Sequence, residues 1–586
     1  MAPVTEKRLY VGLALSLHDP AVALVNSQGQ LVFAQATERH LQSKRAWNSV
    51  PDDIEWIDEL LQRHLGDAEE IVVATSWSDR SLRRVPWLVR GLDAQRAMRS
   101  IRTHSDPSVQ TAREFVHHAT LQVLHRTAPS LRTCALNLDF RAWQRGVPVR
   151  RVGLDHHACH AATALYTSPF DDCAVAVVDG LGEGNSTAFF RAQQGRLTPV
   201  DPTGINLASL GYFYAYACIA CGFQPIRGEE WKVMGLAALG KRDDELYALL
   251  DGMLTVDGLQ LRRSKDFERR LGQLLAIAPK PGFDPLASAN LAWCAQHIFV
   301  ERMVELLTNL QRATGCSRLA LGGGCALNSA CNGQLLRRTG FDALHVYSAP
   351  GDDGNAVGAA FLAWQHDHGR PPESAQGAAY LGERLKPESL RRLCDSGALR
   401  TERLPEAQLI KRAAEHLANG SIVGFAHGRA EFGPRALGHR SILADPRGVG
   451  TKDRINAKVK FRENFRPFAP SVLHERGPGW FENYQNSPYM ERALRFRPEV
   501  RQQVPAVVHS DGTGRLQSVH RTTSPRFHAL ILQFEDITGV PILLNTSLNV
   551  MGKPIVHSVQ DAVAVFCTTG LDAMVLDDVW VQKGRD

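Results

Sequence analysis

One pattern occurs twice in this chain, and it limits the fold more than any other feature. Residues 9–37 read as strand, turn, strand, turn, strand: LYVGLALSLHD, AVALVNSQGQ, LVFAQAT. Residues 172–200 repeat it as DCAVAVVDG, STAFFRAQQG and RLTPV. Each first strand is an apolar run that ends in a polar pair, His18-Asp19 in one copy and Asp179-Gly180 in the other. A Gln/Gly turn then leads each copy into its further strands. LYVGLALSL follows Lys7 and Arg8 as an export leader would. It runs straight into His18-Asp19-Pro20 without a small-x-small cleavage site, so it is expected to be a first buried strand.

A duplicated β-meander with helices behind it implies two similar α/β halves facing across a cleft, the arrangement of actin-like ATPases. Two strand–glycine–helix junctions support a nucleotide between such halves. Leu319–Leu321 leads into Gly322-Gly323-Gly324 and then Cys325–Asn328 with a helix through Leu335. His345–Tyr347 leads into Pro350–Gly354, Asn355 and an Ala-rich helix to Trp364. Glycines that open a helix present free N–H groups and the positive dipole end to a phosphate. The length of 586 residues has room for two to four domains. The Pro/Gly-rich stretch after Trp364 reads as a linker. Beyond it come helices at 388–396 and 406–418 and strands at 421–427, 529–534, 541–544 and 575–581. The division expected is 1–366, a linker at 367–380, and a second α+β domain at 381–586.

Charge is concentrated in one segment. From Arg429 to Arg466 there are ten Lys/Arg against four Asp/Glu, an excess equal to the +6 of the whole chain. Glycines and prolines interleave with the arginines, which excludes one uniform charged helix. Gly permits close backbone approach, and Arg forks match phosphate oxygens in pairs. A small, multiply charged phosphate suits the segment best. A solvated basic face remains an alternative, as does a single-stranded nucleic-acid groove with Phe461, Phe465 and Phe468 as stacking platforms. The near-neutral remainder of the chain disfavours nucleic acid.

A second cluster has the look of a metal site. In Asp155–His160 the imidazoles of His156 and His160 are four residues apart, on one helical face. Asp179 and Asp352 are the best-placed carboxylates, and Cys159 should point away from the shared face. Such a set suits Fe(II), Mn(II) or Zn(II), with non-haem iron favoured; a plain helix surface is the alternative. The eleven cysteines form no dense framework, which suggests reduced thiols in a cytoplasm. Cys218-x-x-Cys221 has no second pair and is expected to pack in a core. The longest apolar stretch, around Tyr212–Phe223, falls well short of a membrane span.

GRAEFGPRALGHRSILADPR, KVKFRENFRPFAPSV and LLNTSLNVMGKPIV resemble the C-terminal domain of the O-carbamoyltransferases, the nodulation and antibiotic-tailoring enzymes of the NodU/CmcH type. His18-Asp19, Glu38-Arg39, Lys44, HHACH, WKVMGLAALG, GGGCALN and PGDDGNAVGAA extend the resemblance over nearly the whole chain. It implies an N-terminal actin-like (ASKHA, duplicated ribonuclease H-like) α/β domain and an α+β C-terminal YrdC-like domain. It also implies an enzyme that makes carbamoyl-adenylate from carbamoyl phosphate and ATP, with Mg(II), and transfers the carbamoyl group to a small-molecule hydroxyl of an antibiotic or similar natural product. By the same resemblance, Arg435, Lys460 and Arg466 hold carbamoyl phosphate with Thr546 and Ser547. His156, His160, Asp179 and Asp352 form the iron-type site, and His18 and Asp19 serve the acceptor. Gly180, Lys232, Gly322, Gly323, Gly324, Asn328 and Asp353 are assigned to the nucleotide. A bulky Trp231 precedes Lys232 where the family commonly has glycine. A tRNA-modifying threonylcarbamoyl-type transferase is the alternative. A hydrogenase-maturation carbamoyltransferase would need an acylphosphatase-like domain and paired CxxC fingers, which this sequence lacks. A cytoplasmic enzyme without a membrane partner is expected, with a homodimer left open.

Overall fold

The computed structural model describes residues 7–15, 18–81, 83–84, 105–200, 204–279, 282–463 and 465–583, without the side chains of 121–132. Two compact units divide the chain. The first comprises residues 1–38, 45–328 and 335–376; the second comprises 39–44, 329–334 and 377–586.

In the first unit, strands β1 (Arg8–Ala14), β2 (Ala21–Val25), β3 (Leu31–Ala36), β4 (Glu70–Thr75) and β5 (Val149–Gly153) form one sheet in the order β3-β2-β1-β4-β5. β1 pairs antiparallel with β2 and parallel with β4. The run RLYVGLA is buried almost throughout, which explains its lack of polar alternation. Helix α1 (His156–Tyr166) follows β5. The second meander is β6 (Cys173–Gly182), β7 (Asn185–Gln193) and β8 (Arg196–Pro199).

Helix α2 (Leu210–Ala220), a small hairpin of β9 (Leu254–Asp257) and β10 (Gln260–Arg263), and helix α3 (Ala289–Thr314) come next. Strands β11 (Arg318–Gly322) and β12 (Ala343–Val346) complete a second sheet, ordered β12-β11-β6-β7-β8. Here β6 pairs antiparallel with β7 and parallel with β11. Both sheets therefore have the same order and strand sense, so the repeat seen in the sequence is a repeat of topology. After GGG a short 3₁₀ turn, Gly324–Leu327, precedes helix α4 (Ser329–Arg338), which starts four residues later than the glycines alone suggest. Helix α5 (Asn355–His368) runs beyond Trp364 and takes in the first residues expected in the linker. Gly369, left-handed at φ 66°, ends it.

The second unit contains helices α6 (Pro387–Ser396) and α7 (Glu406–Ala418), both close to their expected places. Its nine-stranded mixed sheet has the order β13-β21-β20-β14-β15-β19-β16-β18-β17. Those strands are β13 (Arg400–Arg403), β14 (Val423–Ala426), β15 (Arg440–Ala444), β16 (Ala469–Leu473), β17 (Arg492–Arg495), β18 (Thr513–Val519), β19 (Ile542–Ser547), β20 (Ala573–Leu576) and β21 (Val579–Gln582). Two expectations are corrected. Residues 529–534 lie in helix α8 (Pro525–Thr538), whose Pro525 occupies the first turn where a missing N–H costs nothing. Residues 575–581 are two antiparallel strands joined at Asp577-Asp578.

All eleven cysteines are free, and Cys218 and Cys221 are buried, as core packing requires. Among the described residues, no helix is long and apolar enough to cross a membrane.

Candidate functional site

In the first unit, α1 begins at Asp155, whose carboxylate accepts from the Ala158 N–H and caps the helix. The cap sets the rotation of the first turn, so His156 and His160 face the ends of β6 and of the loop before α5. Their Nε2 atoms meet Asp179 and Asp352 there. His156 Nε2 lies 3.5 Å from Asp179 Oδ2 and 3.7 Å from Asp352 Oδ1. His160 Nε2 lies 3.9 Å and 3.4 Å from the same two oxygens. All four ligand atoms fall within 4.8 Å of one another. Both imidazoles are 1% exposed, and neither Nε2 has a hydrogen-bond partner. Two buried imidazole nitrogens without hydrogen-bond partners, facing two converging carboxylates, fit a divalent cation. Cys159 is buried outside this set, in agreement with its helical position.

The electrostatics follow from this crowding. Burial would lower the His156 imidazole, but Asp179 and Asp352 outweigh it and hold it up at about 9. Burial pushes the Asp179 carboxyl up, and His156 and His160 bring it well below its usual range. Asp352, though also raised by burial and by Asp179, is brought down by His160, His18 and His156. Asp179 also accepts the Gly324 N–H at 2.7 Å through Oδ1, which ties the glycine junction to the cluster. At Gly182 a Cβ would lie 2.2 Å from the His156 ring, so only glycine leaves room for this imidazole.

His18 belongs to the same constellation. Its Nδ1 is 2.8 Å from Asp19 Oδ2 and 3.7 Å from Asp352 Oδ2. Asp19 is gripped by Arg45 at 3.0 Å and 3.2 Å. Burial raises its carboxyl, and Arg45 and then His18 reverse this and hold it well below the ordinary range. Asp353 has no such cation: burial, with Asp19 and Glu38 nearby, pushes it up to about 7. Asn328 and Gln296 of α3 exchange amide hydrogen bonds at 3.0 and 3.1 Å, and the Tyr214 hydroxyl donates to Gln296 at 2.6 Å. Gly180 accepts from Ser209 Oγ at 2.6 Å, and Lys232 donates to Glu229 at 2.7 Å. Gly322 closes β11, and Gly323 leads into the turn that begins at Gly324.

The second unit collects cations. Arg435, in the loop before β15, makes no hydrogen bond or ion pair with any described residue, and burial lowers its guanidinium. Arg515 on β18 likewise has no partner among the described residues. Burial pushes it down strongly, and Arg435 and Arg462 push it further. Arg462 is lowered by burial and by Arg466, and its Nη2 is buried without a partner. Arg466 pairs with Glu463 at 2.5 Å. Lys460 is placed differently: its ammonium donates to Ser547 O and Oγ and to Asn549 O and Oδ1, at 2.5–3.2 Å. It fastens the loop after Thr546 and Ser547. Arg39, which belongs to the second unit with residues 39–44, donates to Gly433 O at 2.7 Å, two residues before Arg435. Arg435, Arg462 and Arg515 thus lie within electrostatic reach of one another with no carboxylate paired to them, a charge distribution suited to an anion.

Arg45, Arg462 and Arg515 stand among these groups although no motif marks them as site residues. Arg462 was within reach, inside the KFRENFR run. Arg515 had no local signal, since it is a lone arginine of a strand that only tertiary pairing with β16 and β17 brings near Arg435.

The family profile described as Carbamoyltransferase N-terminus matches residues 9–361, and that described as Carbamoyltransferase C-terminus matches residues 414–583. The chain belongs to the carbamoyltransferase family. It is a carbamoyltransferase enzyme. Its relatives include the nodulation protein NolO of Bradyrhizobium diazoefficiens, 37% identical, with 73% of this chain and 79% of that protein aligned. The nodulation protein NolNO of Sinorhizobium fredii is 36% identical over 79% of this chain and 70% of its own length. Among solved structures, full-length HypF in its phosphate- and nucleotide-bound form overlaps 62% of this chain and 56% of its own, with 13% identity and a TM-score of 0.32. Component A of the (R)-2-hydroxyglutaryl-CoA dehydratase of Acidaminococcus fermentans overlaps 61% of this chain and 98% of its own, with 11% identity and a TM-score of 0.33. Both overlaps are too loose to carry an argument.

Proposed function

We propose that the enzyme is an ATP-dependent O-carbamoyltransferase with two chemical stages. The first takes place in the second unit, read as a YrdC-like domain. The carbamoyl group of carbamoyl phosphate is joined to the α-phosphate of ATP, pyrophosphate leaves, and the donor phosphate is released with consumption of one water. The second takes place in the first unit, read as actin-like. An acceptor hydroxyl oxygen attacks the carbamoyl carbon, and the bond to AMP breaks.

The observation that carries this reading is the surplus of guanidinium groups around Arg435. Carbamoyl phosphate beside ATP is a dense collection of negative charge, and several desolvated cations are needed to offset its repulsion. Arg435, Arg462, Arg466 and Arg515 supply that charge, and Lys460 keeps the Ser547 loop in place.

In the first unit, the Asp19 carboxylate accepts a hydrogen bond from the Nδ1–H of His18, which leaves the lone pair on Nε2 to take the proton of the acceptor hydroxyl. Arg45 keeps Asp19 ionised for that task. The glycine junction at Gly322–Gly324 and Asn328 receive the nucleotide. A divalent ion held by His156, His160, Asp179 and Asp352 would supply positive charge to the phosphate of the departing AMP. Fe(II) is the ion favoured for the donor set, with Mn(II) and Zn(II) the alternatives. The acceptor is read as a small hydroxylated natural product.

The test is product analysis with carbamoyl phosphate, ATP and a panel of hydroxylated natural products. AMP, pyrophosphate and a mass gain of one carbamoyl group are expected. ADP as the nucleotide product would overturn the adenylate route.

A further inference from the structure

We infer that Asn355 is a positioning residue for His156: its side-chain carbonyl accepts the Nδ1 proton of the imidazole and so fixes the tautomer in which Nε2 offers a lone pair. The inference rests on the reading of His156, His160, Asp179 and Asp352 as a cation site.

The contact itself is on the buried side of the ring. Asn355 is fully buried, and its amide lies 3.4 Å from His156 Nδ1. Among the described residues it is the one hydrogen-bonding group at that nitrogen. In the present rotamer Nδ2 faces the ring and Oδ1 is buried without a partner. A half-turn of the amide exchanges the two ends at the same place. With Nδ2 against Nδ1, the ring must carry its proton on Nε2, which then cannot ligate. With Oδ1 against Nδ1, the proton sits on Nδ1, and Nε2 is free to bind an ion beside Asp179 and Asp352.

The fold makes this contact rigid. Asp352 and Asn355 stand three residues apart at the 3₁₀ turn that opens α5, so one turn delivers both a ligand carboxylate and the amide behind a ligand imidazole. Thr163 Oγ1 of α1 donates to Gly354 O at 2.8 Å and ties that turn to the helix carrying His156. Helices α1 and α5 meet at Gly358, where a Cβ would lie 1.9 Å from Cys159 O. The His156 ring also packs against Gly182, against Trp77 and His157 at 5.5 Å between centroids, and against His160 at 4.9 Å.

The experiment measures Co(II) binding to the metal-stripped full-length protein by its visible absorption, with the thermal midpoint of each metal-free variant as the fold control. Wild type should bind one Co(II), and His156→Ala should lose it. Asn355→Leu should weaken Co(II) binding by about 10- to 100-fold at an unchanged midpoint. Asn355→Asp, which keeps an acceptor and has no donor, should bind at least as tightly as wild type. A purely structural role would not produce that rescue. If Asn355→Leu fails to fold, the Asp variant decides alone, and a tenfold loss there overturns the inference. Equal affinity of Asn355→Leu and wild type also overturns it, while the cation site stands. A wild type that binds no Co(II) removes the site and this inference together.

Discussion

His18 Nδ1 stands 3.7 Å from Asp352 Oδ2, while Asp352 Oδ1 faces the two metal-type imidazoles. One carboxylate therefore borders both the proposed base and the cation cluster. In the proposed function the acceptor chemistry and the nucleotide chemistry of the first unit share this wall, and substitutions there should separate according to which side of Asp352 they touch.

Replacing His156 or His160 by alanine removes one of two buried nitrogen donors. Each variant is expected to lose bound metal and most carbamoyl transfer with the fold intact. Elemental analysis and circular dichroism check this together, and full metal content in both variants would place the ion elsewhere.

Arg435→Ala and Arg515→Ala each withdraw a cation from the proposed anion site. A lost charge-assisted contact in such a site costs about 2–4 kcal/mol of transition-state stabilisation. Pyrophosphate release dependent on carbamoyl phosphate should fall accordingly in both variants. Normal release in Arg515→Ala would remove β18 from the site.

His18→Ala should behave in the opposite way. Pyrophosphate is expected to appear slowly, as the adenylate forms and hydrolyses, but no acceptor is carbamoylated. If this variant stops pyrophosphate release as fully as Arg435→Ala does, the two-stage division fails.

Lys460→Met leaves the oxygens of Ser547 and Asn549 without their shared donor. A loss of about 1–3 kcal/mol in stability is expected, since buried acceptors lose their partner. Chemical denaturation measures it, and an unchanged midpoint would show that the loop holds itself.

Acid should weaken the second unit through His439. Burial lowers this imidazole to about 4, against about 6.5 for the unfolded chain. The unfolded state then takes up the proton first, so stability is full above pH 6.5 and declines as the pH falls towards 4. His439→Phe, which keeps an aromatic face against Tyr380, should show a shallower decline over that window. Parallel slopes in denaturation from pH 7 to 4 would rule His439 out as the cause.

Local periodicity made much of this legible. His156 and His160 were readable because a helix brings every fourth residue to one face. The doubled meander was readable because its turns are short and its strands continuous. The apolar run around Ala529–Phe534 misled, because a buried helix and a buried strand look alike over six residues, and Pro525 was the signal that decides. Arg515 could not be read, since its proximity to Arg435 is created by sheet pairing across many residues. Asn355 was visible as a helix start, but its relation to His156 depends on the close packing of two helices far apart in sequence.

Residues 39–44 and 329–334 belong to the second unit although the chain around them belongs to the first. Scission at a single peptide bond therefore cannot yield both units whole. A fragment beginning at residue 377 would lack Arg39, which braces Gly433, and Asn332, whose amide donates to Glu491 O. Chimeras that exchange units between relatives must carry these two strips with the C-terminal half, or they will join halves that were never complete.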